Sequence, residues 1–263
     1  MNLKVVFEDN HLLVVQKPAG LLVQGDSTGE THLLNLAESY RIEREGKPGK
    51  AFVGLVHRLD RPVSGLVILA KTSKAAARLS EQFRKRQVLK IYFAAVEITT
   101  PRVTLPTLNQ LNLWQDHLDR PGVSTEKNAR PRGVKEGGKE QLCQTECRLR
   151  ESTRTVALVE LHPLTGRKHQ LRAQTSMRGL PIVGDRRYGS SQHFADGIAL
   201  HAAGLRFEHP TRREPIELRA LPPDTWNRFP FQRESYRIDF GDYPIRKEQP
   251  ADSNFSANVD EED

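Results

Sequence analysis

Apolar and polar positions change over in short bursts along most of this chain. Residues 4–7 and 12–16 read as two short strands joined by a turn at Glu8-Asp9-Asn10-His11, and Lys17-Pro18-Ala19-Gly20 breaks the second. Leu66-Val67-Ile68-Leu69-Ala70 is a continuous apolar run, as expected of a strand buried on both faces. Strand patterns recur at residues 88–96, 144–149, 155–161 and 199–207. The alternation and the Val and Thr content of 144–149 and 155–161 favour an antiparallel meander over a parallel sheet. Helical spacing is confined to three stretches. Residues 31–45 carry Leu33, Leu34 and Ala37 on one face. Residues 73–86, capped by Thr72 or Ser73, bury Ala76, Leu79 and Phe83 and turn Lys74, Arg78, Arg84 and Lys85 outward. Residues 169–178 form a shorter helix. Strands dominate, so the core is mixed α and β and the fold class α+β. Residues 116–140 are rich in Gly, Pro and charge without apolar periodicity, which predicts a long mobile loop. Beyond Tyr243 the composition turns polar and acidic, which predicts a disordered tail over 244–263 behind one domain spanning 1–243.

Composition narrows the class. A chain of 263 residues with 37% hydrophobic content can bury a substantial core. The 40 Lys and Arg against 33 Asp and Glu give a net charge of +7, and Asp260-Glu261-Glu262-Asp263 conceals part of the basic excess of the body. A polyanionic partner fits that balance. Cys143 and Cys147 are the only cysteines, spaced for neither a zinc knuckle nor a redox pair, and the histidines show no ligand spacing with carboxylates; no metal site is expected. The first residues lack the apolar core of a signal peptide, and no apolar run approaches the roughly 20 residues that span a bilayer. The expectation is a soluble protein of a reducing cytoplasm, with no membrane partner and no obligatory protein partner.

Three segments concentrate chemistry. His57-Arg58-Leu59-Asp60-Arg61-Pro62-Val63-Ser64-Gly65 sets one carboxylate between two guanidinium groups, on a turn leading into the buried strand. A rigid element can aim such a group, and a carboxylate among cations suits a nucleophile or electrostatic stabiliser better than a general acid. A structural ion pair is the plainer reading of the same residues. Leu164-Thr165-Gly166-Arg167-Lys168-His169-Gln170-Leu171-Arg172 offers a Thr-Gly turn into a helix N-terminus, an anion site built from free backbone N–H groups, or else a solvated basic helix with a Thr cap. In Lys90-Ile91-Tyr92-Phe93-Ala94, strand alternation puts Lys90, Tyr92 and Ala94 on one face, where a tyrosine usually serves packing.

Taken together and in order, these segments resemble the RluA-type family of pseudouridine synthases. The family pattern has a His-Arg-Leu-Asp segment ending in Ser-Gly, a Lys-x-Tyr strand, and a Thr-Gly-Arg-x-His-Gln-Leu/Ile-Arg segment. The likeness extends to Glu8-Asp9, to the stretch from Leu13 to Gly20, to Pro181-Ile182-Val183-Gly184-Asp185 and to Tyr188-Gly189, and covers roughly residues 5–222. Val63 departs from the Thr common before Ser-Gly. The resemblance implies the pseudouridine synthase core, a mixed, mainly antiparallel central sheet flanked by helices and loops, and isomerisation of uridine in RNA with no cofactor: the base is detached at N1–C1′, turned, and rejoined through C5. It implies that Asp60 is the catalytic carboxylate, that Tyr92 lies against the target base, and that Arg172 pairs with Asp60. Leu171 would wall the base and Arg58 would fill the space it vacates. Arg167, His57 and Lys90 would contact substrate. Many relatives carry an N-terminal S4-type RNA-binding domain, for which the pattern here leaves no room. Recognition would then rest on the catalytic body and a compact RNA element, tRNA slightly before ribosomal RNA, with the 116–140 loop as a candidate contact.

Rival readings fit less well. His57-Arg58-Leu59-Asp60 and Asp239-Phe240-Gly241 resemble the catalytic loop and metal-binding triplet of kinases, but no Gly-rich nucleotide loop precedes them and no Asn follows Asp60 at the required offset. A glycoside hydrolase would need a second carboxylate as acid partner. An RNA-binding or ribosome-assembly protein with a vestigial synthase site is the alternative from another class. Such a protein would have no physical need for a charged Asp in a pocket.

Overall fold

The computed structural model describes residues 3–46, 49–100, 103–118 and 141–243. Ten strands form one sheet: β1 (Val5–Glu8), β2 (Leu12–Lys17), β3 (Gly54–Leu55), β4 (Ser64–Ala70), β5 (Leu89–Glu97), β6 (Asn112–Leu118), β7 (Gln141–Ser152), β8 (Val156–Pro163), β9 (Leu200–Glu208) and β10 (Pro215–Arg219). Their order is β1-β2-β4-β9-β5-β8-β7-β6, with β3 added to β4 and β10 to β9. Every pairing between these strands is antiparallel except β4 with β9, which run parallel through Ser64 and Gly65 opposite His201 and Ala202. The mixed, mainly antiparallel sheet that the resemblance implies is therefore the observed one.

Burial on both faces explains the apolar runs. Leu13, Val15, Val67 and Leu69 enter one core, while their neighbours Leu12, Val14, Leu66 and Ile68 enter a second on the opposite face. Helix α1 (Leu33–Glu45) covers the first core with Leu33 and Ala37; α2 (Ser73–Arg84) covers the second with Ala75 and Leu79. Thr72 caps α2 by accepting a hydrogen bond from the Ala75 N–H, and His32 caps α1 in a reciprocal pair with Asn35, so α1 starts two residues later than its pattern predicts. No helix among the described residues is long and apolar enough to cross a membrane.

One expectation needs correction. Residues 116–118 belong to β6 and not to a loop: Asn112 to Leu118 pair residue by residue with β7. As an edge strand, β6 leaves much of itself exposed, and its polar sequence hides the strand. Asp116 there accepts hydrogen bonds from Gln174 Nε2 (2.7 Å) and Arg178 Nη1 (2.9 Å), tying β6 to helix α3 (Gln170–Met177). The rest of the expected loop, 119–140, and the expected tail, 244–263, lie outside the described residues.

After β10 the chain runs back over the sheet as a strap of short 3-10 turns, at Asp224–Arg228, Arg233–Tyr236 and Phe240–Asp242. Trp226, Phe229, Ile238, Phe240 and Tyr243 of the strap are buried in the first core.

Candidate active site

Asp60 stands on a turn that is fixed from below. Leu59 and Val63 on either side of it are buried, and the Val63 N–H closes the turn onto the Asp60 carbonyl at 3.0 Å. The next carbonyls are held too: Arg61 O accepts from Gly20 N (2.8 Å) and Lys17 Nζ (3.2 Å), and Pro62 O from Ile198 N (3.2 Å). Lys17 Nζ also donates to Pro18 O (2.9 Å) and Leu21 O (2.8 Å). Burial pulls the Lys17 pKa down to about 7, against the pull of Asp60. Three carbonyl acceptors favour the protonated amine, the only form with three N–H donors. Just past the turn, Ser64 Oγ meets His201 Nδ1 at 2.8 Å inside the sheet.

Arg172 reaches this turn from α3. Its Nη1 lies 3.2 Å from Asp60 Oδ2, while Nε and Nη2 grip Asp185 at 2.6 and 2.8 Å. Asp185 is buried, so the bidentate pair fixes the guanidinium plane before any ligand arrives. Glu97 holds the segment that follows Asp185, accepting from Ser191 Oγ (2.8 Å), Gln192 N (3.0 Å) and the Ser190 hydroxyl. Tyr188 of that segment spreads its ring under the Arg172 guanidinium, 5.0 Å from centroid to Cζ.

Asp60, Tyr92, Leu171 and Arg172 line one cleft of about 1240 Å³, together with Arg58, Arg167, His57 and Lys90. Tyr92 projects from β5 beside a bulge where the pairing with β9 shifts register. Burial, then the charge of Asp60, pushes its phenol well above the ordinary range, so at neutral pH it is an O–H group and not a phenolate base. Leu171 is buried on α3 and Arg58 is exposed on the rim. Burial brings the Lys90 pKa down to about 8, with Arg86 adding to the effect.

Two placements differ from simple substrate contacts. His57 stacks on Phe83 with centroids 4.7 Å apart, and its Nε2 accepts the Ile68 N–H at 2.9 Å, so this nitrogen already has a structural partner. Burial lowers its pKa to about 3, assisted by Lys90. The Thr-Gly turn is also less open than an anion nest: the Arg167 N–H donates to Gln170 Oε1 (3.1 Å), and Thr165 Oγ1 donates to the same oxygen (2.7 Å). The side-chain amide of Gln170 takes the place an anion would have there. Sequence reasoning gave no role to Asp185, Tyr188, His169 or Lys17, although all four stand in quoted segments. Nothing in the spacing around Arg172 marks Asp185 as its partner; only its burial in the folded chain does.

A mixed sheet thus carries a carboxylate turn at the mouth of its parallel strand pair, facing a helix-borne arginine in a cleft lined by basic side chains. The chain matches the RNA pseudouridylate synthase family over residues 11–177, and it belongs to that family. It is 34% identical over 226 residues to the ribosomal large subunit pseudouridine synthase C of Vibrio vulnificus, covering 82% of this chain and 64% of the relative. To the ribosomal large subunit pseudouridine synthase D of Zymomonas mobilis it is 33% identical over 232 residues, covering 84% and 69%. The chain thus spans just under two thirds of the length of the synthase C relatives it matches. Among solved structures, human RNA pseudouridylate synthase domain containing 4 superposes with a TM-score of 0.65 at 25% identity, covering 86% of this chain and 92% of that one. Human RNA pseudouridylate synthase domain containing 1 gives 0.63 at 27% identity, covering 84% of each.

Proposed function

We propose that the protein converts uridine to pseudouridine within RNA, with Asp60 as the catalytic carboxylate. The carrying observation is the contact between Asp60 and Arg172, 112 residues apart in sequence, inside a cleft that also holds Tyr92. A base stacked in RNA cannot turn in place, so the nucleotide leaves the stack at a cost of roughly a few kcal/mol. Arg58, exposed on the rim, is suited to occupy the vacated space. Asp60 then attacks the sugar or assists departure of N1 from C1′. The freed base turns against Tyr92 and Leu171, and C5 bonds to C1′; where Asp60 has bonded to the sugar, that bond breaks in the same step and the carboxylate is released. C5 gives up its proton and N1 gains one, so the product is an isomer and no co-reactant is consumed. Apolar walls limit hydrolysis of the opened sugar. Tyr92, protonated at neutral pH, serves as a hydrogen-bond donor to the base.

Large-subunit ribosomal RNA is the first substrate to test, on the names of the curated relatives. tRNA is the second, because the Asp60 segment with Arg61-Pro62 resembles the variant in tRNA-modifying members. The measurement is tritium release from C5-labelled uridine in each RNA fraction, with wild type beside Asp60→Asn. Release by wild type with a loss of at least about 1000-fold in the variant, at near-normal RNA affinity, is the expected result. Release that survives in Asp60→Asn removes this residue from the chemistry; no release by wild type from any RNA returns the protein to RNA binding alone.

A further inference from the structure

His169 does none of the usual work of a residue at the start of a helix. Its side chain accepts no capping hydrogen bond from α3. Its backbone lies in the left-handed region, φ 57° and ψ 17°, where any residue with a Cβ is disfavoured and Gly and Asn are disfavoured least. Strain kept at one position of a cleft calls for a role of the side chain.

The ring is nearly buried between two partners. Nε2 lies 3.6 Å from Oδ2 of Asp60, and Nδ1 lies 3.1 Å from the Tyr188 hydroxyl. Tyr188 stands edge-on to the imidazole, with centroids 5.8 Å apart at 88°, while its face carries Arg172. Burial lowers the His169 pKa to about 4 in spite of Asp60, so the ring is neutral near pH 7 and holds one N–H. A bare Nε2 would turn its lone pair on a carboxylate. With the proton on Nε2, that edge faces Asp60 favourably and Nδ1 accepts the Tyr188 O–H. Arg172 and His169 both address Oδ2; among the described residues, Oδ1 accepts no hydrogen bond.

We propose that His169, locked as its Nε2–H tautomer by Tyr188, is a positioning residue that holds Oδ2 of Asp60 together with Arg172 and so presents Oδ1 to the bound uridine. This role presupposes the synthase activity proposed above. At 3.6 Å the Nε2–Oδ2 separation is just outside hydrogen-bond length, so here the N–H dipole faces the carboxylate without a hydrogen bond.

The test compares single-turnover tritium release and RNA affinity for wild type, His169→Asn, His169→Gln, Tyr188→Phe and the double variant His169→Asn/Tyr188→Phe. Asn suits the left-handed backbone but is too short to reach Asp60, whereas Gln can place an amide nitrogen where Nε2 stands. His169→Asn is expected to slow the reaction by about 30-fold, the scale of a misplaced reacting group, without weakening RNA affinity or lowering the melting temperature. His169→Gln recovers most of that loss. Tyr188→Phe loses less, and the double variant is no slower than His169→Asn, since Tyr188 acts through His169. A wild-type rate in His169→Asn, an equal loss of affinity, or additive losses in the double variant would overturn the positioning role. Ring-nitrogen NMR reads the same pair without turnover: the Nε2–H tautomer is expected in the wild type and a mixture in Tyr188→Phe, and an Nδ1–H tautomer in the wild type overturns the proposal. Absence of tritium release from wild type on every RNA is a different failure, that of the synthase reading and the role built on it, whatever the tautomer. Release by wild type and His169→Asn alike overturns the positioning role alone.

Discussion

At the scale of single residues, the site depends on charges that are held before substrate arrives. Arg172 is fixed by Asp185 and offers one remaining edge to Asp60. Lys17 does the equivalent work on the backbone, joining Pro18, Leu21 and Arg61 carbonyls through an amine with no exposed surface. Replacing Lys17 by Met keeps the volume of the stem but leaves those carbonyls unpaired, at an expected loss of about 3 kcal/mol in denaturant unfolding. Turnover should fall more than RNA affinity, because the Asp60 turn loosens. A Met variant as stable as wild type would show that water or backbone shifts satisfy the carbonyls. Asp60, Tyr92 and Arg172 were legible as motif residues. Asp185 was not, because a partner that approaches from a separate turn leaves no mark in the spacing around Arg172.

At the scale of elements, β4 is where sequence and site meet. Gly65 adopts φ +123°, and a Cβ there would fall 2.4 Å from both the backbone nitrogen and the oxygen of Ala202. Only a glycine lets β4 and β9 run side by side directly after the Asp60 turn. Gly65→Ala is therefore expected to destabilise the protein by at least about 3 kcal/mol, through clash and strain together. Thermal unfolding checks this, and a shift of only a degree or two would mean that β9 moves aside easily. The run from Leu66 to Ala70 announced a strand buried on both faces, since no polar position interrupts it. The strand β6 went unread, because an edge strand with polar positions has the composition of a loop, and only its pairing with β7 distinguishes the two. The parallel partnership of β4 with β9 was also hidden, as strands far apart in sequence carry no record of which neighbour they choose.

At the scale of the whole molecule, Glu160 joins the sheet to the strap. It is fully buried on β8 and accepts from His162 Nε2 (2.7 Å), Arg150 Nη1 (2.9 Å) and the Tyr243 hydroxyl, with Arg148 Nη2 at 3.3 Å. Burial alone would raise its pKa, but the hydrogen bonds from His162 and Tyr243 and the charge of Arg148 outweigh it and bring the value to about 2. A folded pKa below the unfolded value near 4.5 means that its stabilisation is complete above about pH 4.5 and is lost as pH falls toward 2. The stake is about 3 kcal/mol by linkage. Tyr243→Phe removes one donor and keeps the ring, so its acid unfolding midpoint should lie at higher pH than that of wild type. Coincident midpoints would show that the strap does not hold this carboxylate. The sequence by itself determined the β-dominated class, the strand and helix cores, the family resemblance and the motif that carries Asp60, because periodicity and short motifs are local. Tertiary structure alone decided the strand order, the grip of Asp185 on Arg172, the Lys17 and Glu160 hubs and the His169–Tyr188 pair. Each of these joins residues distant in sequence, and the geometry of such a contact exists only after the chain has packed.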